Sequence, residues 1–201
     1  MALTEQHRLE HNRIFEEASA LIKNEIPLHE RPRMPAPGWF LRRRLKRALA
    51  LFDRVLELKP ENWPAMWLVG KIHQRLGDFN TALSWFERAY QENPSQPDVA
   101  REASMCAMNT GRHDVAIVFA HRATQIEPAN AGLHANLALA YLQAGRISDA
   151  QASIERSIAG DPADKISQTI RAIIKHFATN GRTPPTTTSA LLDYWLKNRG
   201  A

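Results

Sequence analysis

Apolar residues recur at spacings of three and four along most of this chain, and each such run is closed by a glycine or a proline. Spacings of three and four put side chains on one face of a helix, so the runs predict amphipathic helices and not strands. The closing residues are themselves periodic. Gly77, Gly111 and Gly145 stand 34 apart, and Pro60, Pro94, Pro128 and Pro162 keep the same step. A fixed period of this size predicts stacked structural units and a surface that holds other molecules.

Each period resolves into two helices. The second carries Ala82, Phe86 and Ala89, then Ala116, Ala120 and Ala123, then Ala150, Ile154 and Ser157. The first carries Met66, Val69, Gly70 and His73, then Ala100, Ala103, Ser104 and Ala107, then His134, Leu137, Ala138 and Tyr141. Small residues at Gly70, Ser104 and Ala138 allow the two helices of a unit to approach closely. The periodic glycines suit the positive φ that stops the first helix, and the prolines end the second. Asn62, Gln96, Asn130 and Asp164 stand in register just before the first helices, and all but Gln96 are good N-caps.

These residues resemble the tetratricopeptide repeat family, whose signature is W-x₂-L-G-x₂-Y followed by A-x₃-F and P. Here it stands as Met66-x₂-Val69-Gly70-x₂-His73 with Ala82-x₃-Phe86 and Pro94, and as Leu137-Ala138-x₂-Tyr141 with Ala150-x₃-Ile154 and Pro162. The signature tryptophan is missing from all three units, and the middle unit is rich in alanine. The resemblance implies an all-α fold, a right-handed α-α superhelix of helical hairpins, and a non-catalytic protein-binding role. Family members that grip a C-terminal carboxylate do so with lysines, asparagines and an arginine on successive first helices. Trp67, Lys71, Glu102, Gly132 and Asn136 stand at the corresponding places, so most of that clamp is missing.

Three repeats are expected at residues 62–95, 96–129 and 130–163. Before them, residues 1–60 read as an irregular unit. Ala48, Phe52 and Val55 take the second-helix places, but Pro32, Pro35 and Pro37 forbid a first helix immediately upstream. An N-terminal helix over residues 4–24 substitutes for it, with Leu9, Ile14, Ala18, Leu21 and Ile22 inward and residues 26–38 as a proline-rich insertion. After the repeats, residues 164–180 read as a capping helix with Ile166, Ile170, Ile173, Ile174 and Phe177 on one stripe, as repeat stacks require. Residues 183–201 form a Pro/Thr linker and a short helix capped by Ser189, carrying Leu191, Leu192, Tyr194, Trp195 and Leu196; it either docks on the body or recruits a partner.

Composition narrows this without redirecting it. Of 201 residues, 44% are hydrophobic and 23% charged, as in ordinary globular proteins. An apolar signal core and an 18-residue apolar run are lacking, and Cys106 is the one cysteine, so a cytoplasmic protein without an internal disulfide is expected. The net charge of +5 is uneven: residues 1–60 hold 12 Lys and Arg against 8 Asp and Glu, whereas residues 61–182 hold 12 of each.

The first candidate site is the inner groove of the repeats. Trp67, Lys71, Gln74 and Arg75 point about a third of a turn away from the packed stripe of their helix. Arg101, Met105, Met108 and Asn109 do so in the middle unit, and Leu139, Leu142 and Gln143 in the last. That lining suits an extended or helical segment of another protein, with Trp67 and Arg101 as anchors of the residue types that dominate interfaces; packing against neighbouring helices would equally explain Met105, Leu139 and Leu142. The second candidate is the basic stretch Arg42, Arg43, Arg44, Lys46 and Arg47 beside Trp39, which reads first as a solvated helix face, next as a surface for an acidic partner protein, and last as one that neutralises phosphates of nucleic acid or an anionic membrane. A third reading makes the chain an accessory repeat domain of a separately encoded enzyme.

His7-x-x-Glu10-His11 matches the H-x-x-E-H string of inverted zinc peptidases, but it lies on an amphipathic helix without a third ligand and reads as chance pairing. Glycine-rich phosphate loops, a G-x-S-x-G elbow and a CxxC are lacking. Neither catalytic residues nor a metal or cofactor are therefore expected, and Cys106 reads as a small buried thiol.

Overall fold

The computed structural model describes residues 5–26 and 35–198, and all regular structure in them is α-helical. The chain divides into two compact units, one running up to Pro94 and the other from Ser95 onward.

The first unit contains α1 (Glu5–Ile22), α2 (Trp39–Leu58), α3 (Trp63–Leu76) and α4 (Phe79–Glu92), each packed on the next. Ile14, Ala18 and Ile22 of α1 are buried, as are Leu45, Ala48, Phe52 and Val55 of α2, and Phe15 meets Phe52 edge-on at 5.7 Å. Leu9, expected inward, is exposed. The buried stripe of α1 starts at His11, and Leu9 lies about 140° around the helix from Ile14. His11 takes the place on that stripe because Asn62 satisfies it: Asn62 Nδ2 donates to His11 Nε2 at 2.7 Å, while Asn62 Oδ1 caps α3 by accepting from the Ala65 N–H at 3.0 Å. The proline-rich insertion expected at 26–38 lies largely outside the described residues. Of it, Ile26 and residues 35–38 are described, and Gly38, the N-cap of α2, offers no side-chain cap.

α3 ends at Gly77, whose φ of 85° only glycine adopts without strain. Asp78 then caps α4 by accepting from the Thr81 N–H at 3.2 Å. The Thr81 hydrogen bond, with a smaller contribution from nearby His73, holds the Asp78 carboxyl below its ordinary value against the opposing effect of burial. Between the two helices Gly70 faces Phe86 so closely that a Cβ there would lie 2.7 Å from Phe86 Cε1.

The second unit contains α5 (Pro97–Asn109), α6 (His113–Ile126), α7 (Ala131–Gln143), α8 (Ile147–Gly160), α9 (Lys165–Asn180) and α10 (Thr188–Asn198). α5 pairs with α6 and α7 with α8; α7 also touches both α5 and α9, so these three share a layer. Ser104 uses its small size as anticipated and adds a hydrogen bond, its Oγ donating to the Ala116 carbonyl at 2.8 Å. Gly111 and Gly145 have φ of 71° and 74°, and Asn130 and Asp164 cap α7 and α9 through their side chains, whereas Gln96 makes no capping bond.

Ile170, Ile173, Ile174 and Phe177 form the buried stripe of α9, but Ile166 is exposed. Its expected place is taken by Ser167, fully buried, whose Oγ shares a hydrogen bond of 2.7 Å with Ser157 Oγ of α8 and also donates to the Asp164 carboxylate at 2.5 Å. The capping residue of α10 also differs. Thr187, not Ser189, accepts from the Ala190 N–H at 3.3 Å, which starts the helix one residue before Ser189.

Candidate peptide-binding faces

In the first unit the four candidate residues share α3. Trp67 is half-buried, with the Lys71 ammonium 6.0 Å from its ring centroid, at the outer limit of a cation–π contact. Arg75 Nη1 donates to the Pro35 carbonyl at 2.9 Å, so the chain entering α2 is tied to α3. Lys71 is more buried than its charge suggests, at 6% exposure.

In the second unit the candidates sit on α5 and α7. Arg101 is engaged already: it pairs with Asp98 at 2.9 Å and with the buried Glu102 at 3.2 Å. Met105, Asn109 and Leu139 are half-buried, and Asn109 Nδ2 donates to the Met105 carbonyl at 2.9 Å. Met108 and Leu142 are fully buried, so their atoms stabilise the layer and are covered in this state. Gln143, 3% exposed, donates through Nε2 to Thr188 Oγ1 at 3.0 Å.

One feature unites these faces chemically. Among the described residues six buried side-chain polar atoms have no hydrogen-bond partner, and five of them belong to the first helices of the repeats: Trp67 Nε1 and Arg75 Nε on α3, Arg101 Nε on α5, His134 Nδ1 and Gln143 Oε1 on α7. Buried polar groups are normally satisfied, because an unmet one costs about 1–3 kcal/mol. Three of the five are donors, and Gln143 Oε1 is an acceptor. His134 Nε2 meets the Pro128 carbonyl at 2.8 Å, which assigns the proton to Nε2 and leaves Nδ1 an acceptor.

Part of the basic stretch is engaged in exposed ion pairs. Arg44 pairs with Glu25 and Arg47 with Glu17 at 2.9 Å, while Arg54, a turn or two further on, reaches Glu10 at 3.3 Å. These three arginines clasp the connection and the helix at α1. Arg42 Nε donates to the Pro37 carbonyl at 3.0 Å and the Arg43 guanidinium stands 5.8 Å from the Trp39 ring centroid, leaving Arg42, Arg43 and Lys46 solvated beside exposed Trp39 and Phe40. In the H-x-x-E-H string, Glu10 is bound to Arg54 and His11 to Asn62, so both serve the α1 packing.

Two features escaped sequence reasoning. An apolar cavity of about 390 Å³ lies between the end of α1 and α3, lined by Ala20, Ile22, Ile26 and Leu68 with Ser19 and Lys23. It arises from the register of two helices, which no local pattern encodes. The other is the path of residues 182–198 over the second unit: Thr186 presents its carbonyl to His113 Nε2 at 2.8 Å, and the Tyr194 ring lies tilted against Phe177 at 5.2 Å between ring centroids. The Thr run and the aromatic density of the last helix were its only signal.

The chain belongs to the tetratricopeptide repeat family: it matches that family over residues 42–97 and 110–174, together more than half its length. Among solved structures it is similar to MamA residues 41 to the end from Desulfovibrio magneticus RS-1, at 12% identity and a TM-score of 0.69 over 98% of this chain and 94% of that one. It is also similar to YrrB, a TPR protein with an unusual peptide-binding site, at 20% identity and a TM-score of 0.60 over 67% of this chain and 69% of that one. At these identities the likeness establishes the fold alone. In sequence, 68 residues are 26% identical to the transcription factor tau 131 kDa subunit of Saccharomyces cerevisiae, which is 34% of this chain and only 7% of that protein's length.

Proposed function

We propose that this protein is a non-catalytic interaction scaffold in which the α3 face of the first unit and the α5–α7 face of the second each hold an extended or helical segment of a partner protein. The observation that carries this reading is the set of unmet buried donors and acceptors on α3, α5 and α7. A peptide backbone offers a carbonyl and an N–H at every residue, so it supplies both kinds of partner along its length. Trp67 adds a large, rigid surface with one unmet donor, a combination common among dominant interface residues. Because the repeats are preformed, the peptide bears most of the ordering cost of binding. Interaction scaffolds of this family work without catalysis, and the residues of these faces serve recognition here. Among the described residues no helix is long and apolar enough to cross a membrane.

The test uses peptides selected from a random display library against the full-length chain. Trp67→Ala should weaken a selected peptide at least tenfold, equivalent to about 1.4 kcal/mol, and Trp67→Phe, which keeps a ring and removes the indole N–H, should fall between. Arg101→Ala is a poor probe, since it would leave the buried Glu102 carboxylate without its partner. Failure to select any peptide, or equal affinity for the wild type and Trp67→Ala, would refute the reading for the α3 face.

A further inference from the structure

The surface shared by α5, α7 and α9 already holds a peptide: the chain's own C-terminal segment. After α9 ends at Gly181, residues 182–187 run without helical structure past the turn that joins α5 to α6, where His113 Nε2 meets the Thr186 carbonyl. Thr188 Oγ1 then accepts from Gln143 Nε2 of α7. α10 follows, touching α5 and setting Tyr194 against His176 and Phe177 of α9, with the tyrosine hydroxyl also 3.2 Å from Arg182. An extended stretch that bonds through its backbone and then a short helix that inserts a leucine and a tyrosine is how a foreign peptide would occupy a repeat surface.

The docking is incomplete in two respects. Of the eleven residues of α10 only Leu191 is fully buried, at 2% exposure, while Leu192 and Leu196 remain exposed and Tyr194 and Trp195 are half-covered. A helix of that length is marginal in water without tertiary support, so its hold rests on Leu191 and on the contacts of Tyr194 and Trp195 with His176 and Phe177. At Gln143 the fit is chemically half-made. The carboxamide is 97% removed from solvent in effect, at 3% exposure, yet only its N–H is used by Thr188, and Oε1 has no partner. A side-chain hydroxyl can answer one end of a carboxamide; a peptide backbone answers both, with a carbonyl and an N–H.

We propose that residues 182–198 are a displaceable internal ligand of the α5–α7–α9 surface, and that the partner is a protein segment of the same pattern, extended and then helical with Leu-x-x-Tyr, whose backbone satisfies both ends of Gln143. This deepens the scaffold reading above and rests on it. The closed chain is then a self-inhibited state. A partner gains over the tail by meeting Oε1, and the tail sets the threshold that the partner must exceed.

A labelled synthetic peptide of residues 181–198 is the probe, titrated against the full-length chain and against full-length Leu191→Asp, in which the tail is undocked. The variant should bind the peptide at least tenfold more tightly than wild type, and adding Gln143→Ala should remove that gain. Leu191→Ala, with the helical content and melting of the body followed by circular dichroism, serves if the aspartate variant is not folded. Hydrogen exchange on the wild type needs no substitution: amides of α10 should exchange at least a hundredfold faster than those of α7, through an opening that leaves α7 protected. Equal peptide affinity in wild type and both tail variants, or α10 amides as protected as α7, would overturn the proposal. A library peptide lost on Trp67→Ala but indifferent to Leu191→Asp would leave the scaffold reading standing while the tail proposal fails. Tail peptide binding to Leu191→Asp with no library peptide sensitive to Trp67 would do the reverse for the α3 face.

Discussion

Gly70→Ala tests the packing logic on which the repeats depend. An added Cβ would lie 2.7 Å from Phe86 Cε1 and 2.9 Å from Cδ1 and Cζ, whereas carbon atoms rest about 3.5–4.0 Å apart. The ring edge must therefore withdraw by roughly 0.8 Å to reach the near end of that contact range. Phe86 has 0% exposure, so it has no solvent to withdraw into. Overpacking of this kind costs about 1–3 kcal/mol, and the better helix propensity of alanine returns about 1 kcal/mol. The balance is a net loss of about 0–2 kcal/mol, which urea unfolding monitored by circular dichroism measures. In a chain of this size that is a fall in melting temperature of at most about 8 °C. The decisive measurement is the double variant with Phe86→Leu. The smaller side chain makes room for the methyl group, so the two changes together should cost less than their sum by about 1 kcal/mol or more. The chain itself hints at this exchange of volume, since the third repeat has Ala138 where the first has Gly70, and Ile154 where the first has Phe86. If Gly70→Ala proved more stable than wild type by the full propensity gain of about 1 kcal/mol, or strictly additive with Phe86→Leu, close approach would not be the reason for the glycine.

Two further expectations concern charge. The Asp164 carboxyl is held below the ordinary aspartate value of 3.8 by the Ser167 hydroxyl first, with the N–H groups of Ser167 and Ile166 adding to it and burial opposing. A depressed carboxyl contributes stability above its unfolded value and loses it as pH falls through the folded one, so Asp164→Ala should cost about 1 kcal/mol at pH 7 and progressively less below pH 3.8; urea midpoints at pH 7 and pH 3 check this, and an undiminished difference at pH 3 would contradict it. Reversing Arg44 and Arg47 to glutamate should destabilise the first unit by about 1 kcal/mol at low salt, with recovery in 0.5 M NaCl or on adding Glu17→Lys and Glu25→Lys, because these pairs are exposed. Unchanged stability at low salt would mean that the arginines do not hold α1.

The parts of this fold that were readable in the sequence are those decided within four or five residues. Gly77, Gly111 and Gly145 take the positive φ their positions required, and Asn62, Asn130 and Asp164 cap the helices they precede. Apart from the cap of α10, where Thr187 stands in for Ser189, what misled was a choice between faces. Leu9 and Ile166 are more apolar than His11 and Ser167, yet the polar residues are buried, because Asn62 and Ser157 stand opposite and satisfy them. Hydropathy prices a side chain alone, and a buried hydrogen bond is a property of two. The same limit governs the candidate faces: a sequence places Arg101 and Gln143 on the inner side of their helices, but not that Glu102 holds one and Thr188 the other. Likewise the basic run by itself shows nothing of Glu17 on α1 and Glu25 in the turn after it, which pair with Arg47 and Arg44.

Cys106, the chain's single cysteine, has 0% exposure on α5. A thiol reagent in solution reaches it only when the second unit opens, so its rate of modification counts openings of that unit and ignores the first. Folded protein should tolerate oxidants that would cross-link a surface thiol. A molecule that has once opened in their presence can be marked for good, and labelled fraction against time becomes an internal clock for the half of the chain that carries its own tail.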